Sequence, residues 1–191
     1  MQLSPDYREE VMLDDGTRVT LRLVCPDDKG RLVEILDALS THSRTMRFFV
    51  ARLAMSEKEL RYLTEIDGID HFAVLAMRGE RSIGVARFIR QTGAPDTAEP
   101  AVTIVDEMHG RGLGRILFHR LVDAARERGI AQFKGEVLPQ NKAMLGLLRA
   151  VEANIPPRRA PAPWSESLTF FVDLEAAAAA LAPAPLQRLV A

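Results

Sequence analysis

The sequence predicts a mixed α/β (α+β) domain, with a single central sheet and helices packed against it. Three observations predict it. Short stretches of β-type alternation or apolar β-rich composition recur along the chain. Amphipathic stretches of helical period lie between them, the clearest over residues 113–128. The resulting order is strand, helices, hairpin, strand, helix, strand, helix, strand, with no internal repeat.

Each element has a local reason. "TRVTLRLV" (17–24) alternates and directs Val19, Leu21 and Leu23 to one face. Pro26-Asp27-Asp28 ends it, and Asp27 can cap a helix through about Leu39. Ser40 or Ser43 can start a short second helix that ends near "RFF" (47–49). Ser56 and Glu59 form an S-x-x-E capping box at the head of "SEKELRYLTEI". "HFAVLAM" (71–77) and "SIGVARFIR" (82–90) are two strands joined by "RGER" as a hairpin turn. "TGAPDTAE" (92–99) reads as a loop, "AVTIV" (101–105) as a strand and "QFKGEV" (132–137) as another. Pro139 and Asn141 open a helix in which Met144, Leu147, Leu148 and Val151 form an apolar stripe. "IPPRRAPAP" (155–163) excludes regular structure, and "SLTFFVDL" (167–174) is the last strand. Trp164, Phe170 and Phe171 are assigned to the core. Residues 1–174 form the single domain, and the Ala/Pro-rich residues 175–191 form a tail with a short helix and a frayed end.

Composition narrows the function. With 191 residues, 47% hydrophobic and 27% charged, the chain can bury a core without disulfide or metal. A formal net charge of −1 supplies no overall basic field, so no nucleic-acid partner is expected. The charged N-terminus lacks the apolar run of a signal peptide, and no uncharged apolar stretch approaches the ~20 residues that span a bilayer. Cys25 is the only cysteine and is read as a small buried apolar residue; a reducing cytoplasm is the expected location. The histidines at 42, 71, 109 and 119 are scattered, so no metal site is expected.

The informative stretch is "HGRGLGRILFHRLVDAARERG" (109–129). Leu113, Leu117, Leu121 and Ala124 form an apolar stripe widened by Phe118, Val122 and Ala125, while Arg115, His119, Asp123 and Arg126 lie opposite. Three glycines at alternate positions, Gly110, Gly112 and Gly114, stand at its head. A helix's first turn offers unpartnered N–H groups and the positive end of its dipole, and glycines let a ligand approach them. With Arg111 and Arg115 this describes a phosphate or pyrophosphate cradle. A tight strand-to-helix turn alone would need glycine only for a positive φ. The mononucleotide loop G-x-x-x-x-G-K-[ST] is absent. A dinucleotide fingerprint would need a third glycine where Arg115 stands, and only some 75 residues follow, too few for the rest of a doubly wound sheet.

His109-Gly110-Arg111-Gly112-Leu113-Gly114 resembles the acyl-CoA signature of the GNAT superfamily of N-acetyltransferases. "LPQNKAMLGLL" resembles that family's later Asn-containing helix. "DDGTRVTLRLVCPDD", "SRTMRFF", "SEKELRYLTEIDG" and "GVARFIR" are similar to bacterial protein-lysine acetyltransferases of the Pat type, which act on metabolic enzymes such as acyl-CoA synthetases. The resemblance covers nearly the whole chain. It implies a mostly antiparallel sheet of six to seven strands with helices on both faces. It implies acetyl-CoA as acyl donor, with the pyrophosphate on the backbone from Gly110 to Arg115. Pantetheine would pair with the backbone of Val102, Thr103 and Ile104, and Asn141 would bind the pantetheine arm or help order the site. Glu99 matches the carboxylate that acts as general base, through water, in direct transfer to an amine. The implied acceptor is a protein lysine. The signature departs at His109, where Gln or Arg is usual. Leu148 stands where many members carry a tyrosine general acid, which leaves the departing thiolate to take its proton from water. Glu152-Ala153 replaces a closing Gly-Phe.

Two other readings share the glycine cradle: an acetyltransferase of small amines, and a non-catalytic acyl-CoA sensor. His71 could line the acceptor site or serve as an alternative base, although a structural role fits it better. His119 reads as solvated, and Arg44, Arg47, Arg52 and Arg61 as surface charge flanking the acceptor. Nothing marks Cys25 as a nucleophile.

Overall fold

The computed structural model describes residues 6–156 and 167–181. Trp164, most of the proline-rich stretch and the end of the tail lie outside the described residues. Seven strands form one sheet in chain order: β1 (Arg8–Met12), β2 (Arg18–Leu23), β3 (His71–Arg78), β4 (Arg81–Gln91), β5 (Ala94–Ile104), β6 (Gln132–Val137) and β7 (Leu168–Asp173). All neighbours are antiparallel except β5 and β6. Between the strands run α1 (Lys29–Asp37), α2 (Thr41–Phe48), α3 (Glu57–Thr64), α4 (Leu113–Glu127), α5 (Lys142–Ala150) and α6 (Leu174–Leu181).

Cross-strand pairing assigns the two faces. On β4, Val85 and Arg87 lie opposite Thr103 and Ala101 of β5, and they point toward the α1–α3 layer. Phe72 and Phe88, paired across β3 and β4, point the other way. There Phe88 meets Phe133 at 6.0 Å between centroids, and Phe118 of α4 meets Phe133 edge-on at 5.9 Å. The sheet therefore carries helices on both faces. The stripe of α4 is fully buried, from Leu113 and Leu117 to Leu121 and Ala124. Ser40 caps α2 and Ser56 caps α3 as the sequence predicts, the latter with Glu59 closing the box.

Several expectations change. Residues 92–99 are not a loop: Thr92-Gly93 alone makes the turn, and β5 resumes at Ala94. A register shift at Arg90–Gln91 absorbs the irregularity, and the Arg90 guanidinium donates to the Pro95 carbonyl and to Asp70. Pairing with β4 thus overrides the local breaker signal of Pro95-Asp96. β1, too short and charged to announce itself, is held by β2 and by a paired Glu9–Arg120 contact to α4 at 2.6 and 2.7 Å. Asp27 is exposed; Pro26–Asp28 form a 3-10 turn closed by buried Asp28, which accepts from the Cys25 N–H (2.8 Å) and pairs with Arg22, and α1 starts from Asp28 without a side-chain cap. Cys25 is exposed, not buried: it is the N-cap of the 3-10 turn at Pro26–Asp28. The alanine run assigned to the tail opens as α6, whose Leu174, Ala177 and Leu181 are buried and which packs on α4. Phe170 is core, whereas Phe171 is half-buried. Beyond α5, Glu152 takes φ +53°, so the backbone keeps a glycine-like turn without glycine.

Among the described residues, no helix is long and apolar enough to cross a membrane, and no group of three His, Cys, Asp or Glu is placed to hold a metal.

Candidate active site

The head of α4 is built by glycine. Gly110 and Gly112 sit at φ +72° and +85°, and Gly112 is the N-cap. The first intrahelical bond runs from the Ile116 N–H to the Gly112 carbonyl (3.2 Å), which leaves the N–H groups of Leu113, Gly114 and Arg115 without helical partners. A Cβ at Gly112 would stand 2.7 Å from the Asp14 carboxylate, and one at Gly114 would touch Ile104 at 3.4 Å. Leu113 itself is buried. The β1–β2 turn leans on this loop: the Asp14 N–H donates to the Arg111 carbonyl (3.3 Å), and Asp15 pairs with the Arg111 guanidinium at 2.5 Å. The charge of Arg111 is thus answered by Asp15, while Arg115 is exposed and makes no ion pair among the described residues. His109 is exposed, and its Nε2 bonds the Ile104 carbonyl at 2.9 Å.

Beside this loop the sheet opens. β5 and β6 pair only at Thr97–Gln132 and Ala98–Phe133. Backbone polarity alternates along β5. The Val105 N–H bonds the Ile83 carbonyl of the β4 side (3.0 Å), whereas the Asp96 carbonyl accepts from the Ala131 N–H on the β6 side (2.8 Å). Odd positions therefore bond to β4, and even positions face β6. Pro100 is an even position without an N–H, so the ladder to β6 has no donor to continue with. Past it, the backbones of Val102 and Ile104 face the opening. The backbone of Thr103 does not: it is spent on β4, and the residue's contribution is its side chain.

That side chain belongs to the opposite face. Glu99, Ala101 and Thr103 of β5 share this face with Ile89, Arg87 and Val85 of β4 and with His71, Ala73 and Leu75 of β3. Here lies a cavity of about 270 Å³, lined by Leu36, Arg47, Tyr62, Val85, Arg87 and Thr103 among others. Glu99 is exposed beyond it and makes no hydrogen bond or ion pair among the described residues. Arg47 of α2 is half-buried, not surface charge: its Nε donates to Thr103 Oγ1 at 3.1 Å. Arg52 lines the cavity paired to Glu59 (2.6 Å), Arg44 serves backbone carbonyls of Leu39, Asp37 and Arg52, and Arg61 is exposed. Asn141 caps α5, accepting from the Met144 N–H (3.0 Å), and its Nδ2 reaches the Met46 carbonyl of α2 (3.4 Å). It ties the start of α5 to α2. His119 is half-buried, and Leu148 is wholly buried.

Arg87 is the site residue that the sequence did not single out. It is 5% exposed, and its Nη1 donates to the Leu63 carbonyl and to His71 Nε2, each at 3.0 Å. A charged residue inside "SIGVARFIR", on the same parity as Val85, was the available signal. Burial, then the nearby Arg87 charge, push His71 down to about 4. His71 is therefore neutral at pH 7 and a weak base, and its Nε2 is engaged by Arg87. Unfolded, the imidazole takes a proton near 6.5; folded, only near 4. Between these values the unfolded chain binds more protons, so stability falls as pH drops through that window. Between pH 7 and pH 5 the loss is about 2 kcal/mol. Urea midpoints at the two pH values should show this loss in the wild type and not in His71→Gln, whose amide oxygen can still accept from Arg87.

Comparison with known proteins defines the class: residues 18–154 match the acetyltransferase (GNAT) domain family. The chain belongs to this family, whose members take the acetyl group from acetyl-CoA. It is 33% identical over 136 residues to acetyltransferase Pat of Mycolicibacterium smegmatis, covering 70% of this chain and 40% of that protein. It therefore spans well under half the length of that relative. It is 32% identical over 143 residues to acetyltransferase PA5475 of Pseudomonas aeruginosa, covering 73% and 76%. The crystal structure of the GNAT domain of S. lividans PAT superposes with a TM-score of 0.78 at 28% identity, covering 87% of this chain and 96% of that one.

Proposed function

We propose that this chain acetylates the side-chain amine of a protein lysine, using acetyl-CoA as donor and Glu99 as general base. The observation that carries the reading is the continuity of the site. The head of α4, with its unpartnered N–H groups, packs at Gly114 against Ile104 of β5, and Glu99 stands one residue before Pro100, past the last paired residues of β5 and β6. The fit to the donor is physical: Gly112 holds a positive φ that side chains rarely adopt, and the N–H groups of Leu113, Gly114 and Arg115 suit a pyrophosphate. The backbones of Val102 and Ile104 offer the edge along which pantetheine would lie. Acetyl-CoA supplies an acetyl group activated on a good leaving group. The chain's own task is to hold the amine and remove its proton, which an exposed carboxylate facing the opening can do directly or through water.

A protein acceptor is supported by the exposed apolar side chains of Tyr62, which lines the cavity, and of the chain around Phe48 and Arg52, which also line it. Phe49, Val50, Leu53 and Tyr62 are 44%, 61%, 78% and 57% exposed, apolar surface that a small hydrophilic amine would not need. An exposed thiol with no second cysteine fits a reducing, cytoplasmic setting. The test is thiol release from acetyl-CoA with a mixture of folded proteins, set against polyamines and amino sugars, with mass spectrometry to locate the acetyl group. Acetyl-lysine on proteins is the expected product. Turnover of small amines alone would overturn the protein reading, and donor binding without any turnover would make the chain a sensor.

A further inference from the structure

We infer that the acceptor lysine is selected together with a neighbouring carboxylate of the acceptor protein, an aspartate or glutamate side chain that seats on Arg47 and Arg87. This rests on the lysine-acceptor reading and names what that acceptor must carry.

The cavity on the Glu99 face holds two guanidinium groups that no carboxylate answers. Among the described residues neither Arg47 nor Arg87 makes an ion pair. Arg87 spends Nη1 on Leu63 and His71, and its Nε and Nη2 make no hydrogen bond. Arg47 spends Nε on Thr103, and neither of its Nη atoms makes one. A guanidinium has five N–H donors in a planar fork, matched to the two oxygens of a carboxylate. These nitrogens are not sealed among the buried atoms that lack partners; the only such atom among the described residues is Asp106 Oδ1. They therefore open on the cavity that both residues line.

The acidic groups nearby do not serve. Glu59 lines the same cavity but is held by Arg52 and by the Ser56 N–H and hydroxyl. Glu99 raises the affinity of Arg47 for its proton without touching it. Burial acts most strongly against both arginines. Arg87 is pushed down to about 10, with the charge of Arg47 adding to the effect, and Arg47 lies below the ordinary arginine value, with Arg52 adding there. Two unneutralised cations in an apolar cavity are costly until an anion joins them.

The same charges would repel a bare lysine ammonium. A carboxylate brought in beside the lysine cancels them and leaves the amine facing Glu99. Along the sheet face, Arg87 pairs with Ala101, one step diagonally from Glu99, so the two side chains leave the sheet from positions roughly 7–8 Å apart. That distance suits two side chains a few residues apart on one acceptor. The exposed apolar Phe49, Val50 and Leu53, next in the chain to Phe48 and Arg52 of the cavity wall, favour a protein over a free amino acid as the source of the carboxylate.

The experiment measures kcat/KM for matched lysine peptides carrying Glu or Gln, and Asp or Asn, at each position up to four residues from the lysine. Free β-alanine and aspartate form a separate arm. Wild type should prefer the acidic member at one position by roughly tenfold or more. In Arg47→Gln, and separately in Arg87→Gln, the ratio should fall to within about twofold. Calorimetry with acetyl-CoA shows that each variant is folded and keeps its donor site. Equal rates for acidic and amide peptides in wild type would overturn the inference, as would a preference that survives in both variants. Acetylation of the free amino acids with no lysine peptide accepted would instead overturn the lysine reading, and the protein-borne carboxylate with it.

Discussion

Glu99→Gln should lower kcat/KM for amine acetylation by about 10²- to 10⁴-fold while leaving acetyl-CoA affinity within about twofold of wild type. The substitution keeps the shape and one acceptor oxygen but cannot take a proton. Glu99 is exposed and its side chain makes no hydrogen bond or ion pair among the described residues, so its loss costs the fold little. Its backbone pairs with β4 opposite Ile89, and a glutamine there keeps that ladder. The effect should therefore fall on turnover and not on donor binding. Rates with a lysine peptide, measured across pH, give the decisive readout: the variant should follow the supply of already neutral amine, rising with pH without the wild-type plateau. An undiminished rate would remove Glu99 from the mechanism and leave the opening without a base on this face.

Gly112→Val should abolish measurable acetyl-CoA binding at concentrations that saturate wild type, a loss of about 100-fold or more. Two costs combine. A β-branched residue at φ +85° bears about 1–2 kcal/mol of backbone strain. Its Cβ would also stand 2.7 Å from the exposed Asp14 carboxylate, which must swing aside next to the Asp15–Arg111 pair that ties the loop to the β1–β2 turn. Displacing the first turn of α4 misaligns the N–H groups that would face an anion, and each hydrogen bond to a charged group is worth about 1.5–3 kcal/mol. Gly110→Val is the internal contrast. Its φ is +72°, but nothing lies within 4 Å of a Cβ there, so it bears the strain alone and should lose far less affinity. Calorimetric titration of the three proteins checks the order. Equal affinities for wild type and Gly112→Val would mean that the head of α4 is only a turn.

What could be read from the sequence follows local chemistry. The glycine stretch with its helix, the Ser56–Glu59 box and the alternation of β6 are set by neighbours a few residues apart, and they stand where composition and spacing place them. The missed features depend on distant partners. β1 is a strand because β2 and Arg120 hold it. The first half of β5 is a strand because β4 and Arg90 hold it, despite Pro95 and Asp96. Arg47 and Arg87 look like ordinary charges until α2 and β4 are brought to the same cavity. Thr103 shares its sheet edge with Val102 and Ile104, but only the hydrogen-bonding parity fixed at Asp96 and Val105 reveals that its backbone is already engaged.

Pro100 carries a consequence of its own. A gap held open by strain or by a ligand closes when either is withdrawn, and each binding event must then break sheet hydrogen bonds. A gap that begins at a missing N–H has no such bond to break, because the donor is absent from the covalent structure. The slot is thus preorganised before any ligand arrives. Its entropy and hydrogen-bonding costs were met once, during folding, so the donor's arrival need not wait on strand separation.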